Sequence, residues 1–239
     1  MKIALIGYGK MGQMIEKIAL ERGHEIVLKI TIDNTEDFTK ENLAKADVAI
    51  EFSGPDAAYD NIIKCLTWSC PVVSGSTGWL SKKSEVEALV HSTKGSFIYA
   101  SNYSLGVNLF FALNEKLAAI MKPYKQYDVT MEEIHHTAKQ DAPSGTAITL
   151  AEGVLSHSLV KNKWVNDVAS TEENEINITS LRIDPYPGTH SVRYSSEVDD
   201  IEIIHTAKTR HGFALGATLA AEYIYDKEGI FNMKQVLDL

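Results

Sequence analysis

In the first part of the chain, short apolar runs alternate with longer segments whose apolar residues fall three and four positions apart. Lys2-Ile3-Ala4-Leu5-Ile6 is the first run. A strand without polar alternation suits the middle of a parallel sheet covered on both faces. Similar runs predict strands at Glu25–Ile32, Asp47–Phe52, Pro71–Ser74 and Ser96–Ala100. Helices are predicted between them. One carries Ile15, Ile18 and Ala19 and stops at Arg22-Gly23, one is opened by Pro55 and ends near Thr67, and a polar one covers about Ser81–Thr93. Repeated strand–helix units predict an α/β fold with a Rossmann-like, doubly wound parallel sheet.

The pattern changes after Leu105-Gly106. A helix carries Leu109, Leu113, Leu117 and Ile120 at helical spacing, and a strand follows at Tyr127–Glu133. After a polar stretch, a helix starts near Gly145 and runs through Ile148, Leu150, Ala151, Val154 and Leu155. Residues 160–175 read as a polar loop. Strands at Ile176–Ile183, Thr189–Ser195 and Val198–His205 follow without regular helices between them, which predicts a second, α+β domain with a mixed sheet. From Phe213 a helix through Leu215, Leu219 and Ala220 leads to the C-terminus. The expected division is a dinucleotide-binding domain over residues 1–104 plus 211–239 and a substrate-binding and oligomerisation domain over residues 105–210. The chain would cross near Asn102–Ser104 and near Arg210–Gly212, forming a hinge.

Composition narrows the function classes. The net charge of -9, with no basic face, argues against a general nucleic-acid binder. Cys65 and Cys70 are too few and too unpatterned for a disulfide framework or a zinc site, so a reducing cytoplasm is expected. Met1 leads directly into a strand-like run, so no signal peptide is expected, and no uncharged apolar stretch is long enough for a bilayer.

Two stretches carry chemistry. Gly7-Tyr8-Gly9-Lys10-Met11-Gly12 lies between a strand and a helix, and Asp33 lies 21 residues beyond Gly12 at the end of the next strand. That layout binds dinucleotides: Gly7 makes the tight turn, Gly9 admits the pyrophosphate, Gly12 lets helix pack on strand, and Asp33 accepts from the adenosine ribose. Phe52-Ser53, Gly75–Gly78 and Ala100–Tyr103 end other strands on the same sheet edge, where ligands of such sheets bind. Asp33 would bond the ribose hydroxyls of NADH and repel a 2′-phosphate, whereas Lys10 could meet that phosphate, so use of either NADH or NADPH is expected.

The second stretch, Glu132–Ala147, packs His135, His136, Lys139, carboxylates and a Pro-Ser-Gly-Thr turn between a strand and a helix. Pro143 stops an earlier helix and Ser144 can cap the next. Helix N–H groups near Gly145 and Thr146 make a carboxylate site, beside which Lys139 and one histidine could supply protons. No metal is expected, because neighbouring histidines point to opposite sides of a strand and Lys139 would repel a cation. A plain helix-capping surface loop is the competing reading.

Glu133-Ile134-His135-His136 followed by Lys139-Gln140-Asp141-Ala142-Pro143-Ser144-Gly145-Thr146-Ala147 resembles the signature of the 4-hydroxy-tetrahydrodipicolinate reductase family, long called dihydrodipicolinate reductase, of bacterial lysine and diaminopimelate synthesis. Gly75-Ser76-Thr77-Gly78, Asn102–Asn108, His205–Lys208 and Phe213–Ala217 extend the resemblance over almost the whole chain. It implies NAD(P)H-dependent reduction of the small dicarboxylate (2S,4S)-4-hydroxy-2,3,4,5-tetrahydrodipicolinate with loss of water, and a homotetramer joined through the sheets of the second domains. It also implies that His135 and Lys139 are the acid–base pair. His136 would contact substrate and Gly145-Thr146 would hold a carboxylate. Gly7, Tyr8, Gly9, Lys10, Met11, Gly12, Asp33, Gly75, Ser76, Thr77, Ala100, Ser101, Asn102 and Tyr103 would bind cofactor. The chain departs from many members in its one-residue-shorter glycine loop. It also lacks the glycine-rich segment between Arg182 and Gly188-Thr189-His190, which bears on the pocket wall and the subunit interface. Rival readings are an NAD-dependent dehydrogenase of another small amino or hydroxy acid, a Schiff-base role for Lys139, and a non-enzymatic nucleotide sensor.

Overall fold

A computed structural model describes residues 1–168, 172–209 and 211–239. The chain forms two compact units, Met1–Leu105 with Arg210–Leu239, and Gly106–Thr209. Arg210, at the second expected crossing, lies outside the described residues. Elements are numbered along the chain through both units.

In the first unit, strands β1 (Lys2–Ile6), β2 (Glu25–Ile30), β3 (Val48–Glu51), β4 (Val72–Ser74), β5 (Ser96–Tyr99) and β11 (Gly229–Phe231) form a parallel sheet in the order β11-β5-β4-β3-β1-β2. All of β3 and β4, and β1 from Ile3 onward, are buried, as helix-covered parallel strands require. Helices α1 (Lys10–Glu21), α2 (Lys40–Leu43), α3 (Pro55–Thr67), α4 (Lys83–Thr93) and α7 (His211–Ile224) complete the layers. Pro55 opens α3, where its missing N–H costs nothing and its φ is already helical.

The strand β2 stops at Ile30, short of the expected Ile32. Asn34 Oδ1 takes hydrogen bonds from Thr31 N (2.7 Å) and Thr31 Oγ1 (2.9 Å), turning the chain outward and leaving Ile32 exposed. The final helix also ends early: β11 and α8 (Met233–Leu237) follow it. Gly229, at φ 127°, makes the turn, and Asn232 with Gln235 forms a reciprocal cap on α8.

The second unit holds α5 (Leu105–Met121), α6 (Gly145–Leu155) and strands β6 (Asp128–His135), β7 (Lys163–Asn166), β8 (Glu175–Arg182), β9 (Thr189–Ser195) and β10 (Asp200–Thr206). The sheet order is β10-β9-β6-β8-β7, antiparallel on the β9 side and parallel on the β8 side. Its core joins Phe110, Met131, Leu150, Val154, Ile178 and Val192. One expectation is corrected. The segment read as a loop contains β7, a strand at the edge of the sheet that pairs with β8 and carries little apolar pattern of its own. On α5 the stripe Leu109, Leu113 and Ile120 faces outward, while Val107, Phe110, Asn114, Ala118 and Met121 face the core. The helix has two apolar stripes, and periodicity alone did not choose between them.

Candidate active site

In the first unit the strand order reverses between β1 and β3, and a cavity of about 640 Å³ opens at their carboxyl ends. Gly7, Tyr8, Gly9, Asp33 and Ser53 are among its lining residues. A Cβ on Gly7, which has φ 96°, would lie 2.3 Å from Phe52 O, and one on Gly12 would lie 2.4 Å from Gly7 O. These two glycines are fixed by close packing. A Cβ on Gly9 would meet nothing within 4 Å, and α1 starts immediately after it without a side-chain cap. The cradle is open where a helix N-terminus attracts a phosphate, so these residues fit a dinucleotide.

The other candidate cofactor residues differ in placement. Lys10 and Met11 stand in the first turn of α1, outside the residues lining the cavity, while Lys64 of α3 lines it. Gly75 is small because of packing: a Cβ there would lie 2.1 Å from the Phe52 ring. Ser76 is buried and Thr77 exposed, both in the loop after β4. Ala100, Ser101 and Asn102 follow β5 with partly or fully open surfaces. Tyr103 is buried, and its hydroxyl donates to Ser74 O at 2.8 Å, so only its backbone is left to face a ligand.

In the second unit, alternation along β6 puts Val129, Met131, Glu133 and His135 on one buried face. His135 is the last residue of the strand. Its Nδ1 is in ion-pair contact with a Glu133 carboxylate oxygen. The other Glu133 oxygen accepts from Arg182 Nη2 at 2.8 Å and from Ser144 N at 3.3 Å. Burial raises the Glu133 carboxyl, but hydrogen bonds with His135, Arg182 and Ser180 outweigh it and bring the pKa down to about 2. A Cβ on Gly188 would lie 3.0 Å from His135 Nε2, so a glycine here keeps that nitrogen uncovered.

Ser144 caps α6 by accepting from Ala147 N at 3.2 Å. Its hydroxyl also lies 3.0 Å from Nε2 of His190, which pairs with Glu133 across β6 and β9. Burial, reinforced by the charge of His135, lowers the His190 pKa to about 3 and keeps it neutral. Lys139 Nζ bonds both oxygens of Asp141, at 2.7 and 2.9 Å, which lowers the Asp141 pKa. The Arg182 guanidinium also binds Asp141 O at 2.6 Å. His136 is half-buried in the turn after β6. Gly145 and Thr146 open α6, and a Cβ on Gly145 would meet nothing within 4 Å.

Glu133, His135 and His190 present ligand atoms within 4.8 Å of one another and could hold a metal ion. Arg182, bound to the same carboxylate, already supplies the positive charge there. Glu133, Arg182 and His190 were not among the site residues expected from sequence. The period-two alternation of β6, which puts Glu133 on the face of His135, was the available signal. Lys64 carried no comparable signal.

Residues 1–103 match the family model described as dihydrodipicolinate reductase, N-terminus, and residues 106–237 match dihydrodipicolinate reductase, C-terminus. A 4-hydroxy-tetrahydrodipicolinate reductase of Christiangramia forsetii is 52% identical over 237 residues, 99% of this chain and 98% of that protein. One of Alkaliphilus oremlandii is 33% identical over 97% of this chain and 95% of its own. The fold is similar to that of the dipicolinate-bound dihydrodipicolinate reductase from Paenisporosarcina sp. TG-14, with a TM-score of 0.76, 22% identity and 97% coverage of both chains.

Proposed function

The chain belongs to the dihydrodipicolinate reductase family, and on that premise we propose that it reduces 4-hydroxy-tetrahydrodipicolinate to tetrahydrodipicolinate with loss of water. A nicotinamide nucleotide supplies the hydride when bound. The observation that carries the reading is the state of His135. Glu133 holds its Nδ1, so the imidazole is oriented, while Nε2 stays uncovered beside Gly188. The proton that must accompany the hydride leaves from Nε2. Lys139 completes the acid–base pair, exchanging Asp141 for a substrate carboxylate. His136 contacts the substrate, and the amino end of α6, at Gly145 and Thr146, takes a carboxylate through the positive end of the helix dipole. Assembly into a homotetramer through the five-stranded sheets is part of the same proposal. Ile201 and Ile204, exposed on β10, support it.

Both nucleotides serve as cofactor in this account. The exposed Asp33 lines the cavity and accepts from ribose hydroxyls, while Lys64 lines the same cavity and can meet a 2′-phosphate. Asp33→Ala is expected to weaken NADH binding roughly tenfold, the loss of a hydrogen bond to a charged group, and NADPH binding less. Calorimetric titration of both nucleotides into both proteins checks this, and a strong NADPH preference in the wild type would refute it.

The substrate class is tested with pyridine-2,6-dicarboxylate, which is flat and carries both carboxylates. It should compete with substrate, and Thr146→Val should raise its Kd and the substrate KM by roughly ten- to a hundredfold. Failure of the dicarboxylate to bind either the enzyme or its NADH complex removes the assignment.

A further inference from the structure

Glu51 is the last residue of β3 and has no exposed surface. A buried carboxylate needs hydrogen-bond donors around it. Oε1 accepts from Ser53 N at 2.9 Å, from Ser76 Oγ at 2.9 Å and from the Ser53 hydroxyl, and Oε2 accepts from Ser74 Oγ at 2.8 Å. Every contact is a donor, which suits a group that only accepts. The network reaches further. Asn61 Nδ2 donates to Ser53 Oγ at 3.1 Å, Trp79 Nε1 to Ser76 O at 2.9 Å, and the buried Tyr103 hydroxyl to Ser74 O at 2.8 Å. Ser53 lines the cavity, whereas Ser74 and Ser76 belong to the end of β4 and the loop after it.

We propose that Glu51 is a positioning residue for the cofactor: its carboxylate ties the loop after β3 to the Gly75–Thr77 loop after β4 and so sets the sheet edge that binds the nucleotide. The inference rests on the reductase reading for the identity of that nucleotide. Glu51 lies beneath the edge and acts through Ser53, Ser74 and Ser76. A hydrophobic residue would satisfy the core as well, but it would leave three serine hydroxyls and one N–H without their common acceptor.

The test uses Glu51→Gln in the full chain. The amide keeps the shape but replaces one acceptor oxygen by a donor, so it opposes either Ser74 or the Ser53 and Ser76 pair. NADH affinity by fluorescence titration, KM for NADH, kcat, affinity for pyridine-2,6-dicarboxylate and the thermal midpoint are compared with the wild type. The expected result is a Kd and KM for NADH raised roughly tenfold or more, with dicarboxylate affinity retained. Ser74→Ala removes a single donor and should shift NADH affinity in the same direction by a smaller factor. It decides the question if Glu51→Gln does not fold. A lower thermal midpoint with wild-type Kd and KM for NADH would make Glu51 merely structural and overturn the proposal, as would unchanged NADH affinity in Ser74→Ala when Glu51→Gln cannot be folded. If the wild type binds NADH but does not turn over substrate, the reductase reading fails while the Glu51 comparison still stands on binding. If it binds neither nucleotide, both fail.

Discussion

His135→Gln is expected to lower kcat by about 10²–10⁴-fold, the contribution of a placed proton donor, while NADH affinity stays nearly unchanged. The expectation follows from the environment of the imidazole. His135 is 8% exposed, its Nδ1 is engaged by Glu133, and glycine at position 188 keeps a side chain of that residue off the opposite nitrogen. A glutamine fills similar space and keeps a polar contact with Glu133, but it cannot carry a proton across the ring. Lys139→Ala should fall in the same range. Since Lys139 already binds one carboxylate, that of Asp141, its loss can also raise KM. The kcat at saturating substrate therefore separates its two roles. Wild-type kcat in Lys139→Ala would show that it binds substrate without taking part in proton transfer.

Glu133→Gln should reduce both stability and turnover. Glu133 is fully buried and shared by His135 and Arg182, and breaking such a pair on one side costs about 3–5 kcal/mol because the partner's charge stays behind. The pH dependence gives a signature. The folded-state pKa of about 2 lies below the ordinary 4.5, so the folded state holds the charged form more firmly than the unfolded chain does. The stabilisation is fully present above pH 4.5 and is lost as pH falls toward 2. Urea unfolding of the wild type should therefore weaken across that interval, and Glu133→Gln should show a flatter profile over the same range from a lower start. Turnover should fall as well, because Nδ1 of His135 loses its charged partner. A variant with the wild-type acid slope would show that Glu133 is not held as a charged group.

The parts of this architecture that depend on near neighbours in sequence were readable from it. Gly7, Gly9 and Gly12 lie between a strand and a helix, and their spacing fixes the turn before any tertiary contact is known. Ser144 caps its own helix for the same reason. What depends on partners remote in sequence was harder to read. Tyr103 ends up in the core because its hydroxyl reaches Ser74 O, 29 residues away, and nothing local fixes its direction. Glu51 looked like one polar residue at a strand end until Ser74 and Ser76 met it from the next strand and loop. The cluster around His135 is built from three strands and a helix cap, so Arg182 and His190 became partners of Glu133 only once the register of β8 and β9 was known. Glu133 was the exception: it lies two residues from His135 on one strand, and the alternation alone puts both on the same face. Which stripe of α5 faces inward was likewise not legible, because burial needs the position of a second surface, which periodicity does not supply.

Turnover of the substrate itself is the most direct test. Pyruvate and aspartate semialdehyde, condensed by the preceding synthase, generate 4-hydroxy-tetrahydrodipicolinate in the cuvette, and absorbance of the reduced nicotinamide is followed on adding this protein. The expected result is a fall in absorbance that requires the synthase, proceeds with NADH or NADPH, and nearly disappears in His135→Gln. An unchanged absorbance with the wild type, under conditions where the protein binds NADH, would contradict the assigned reaction.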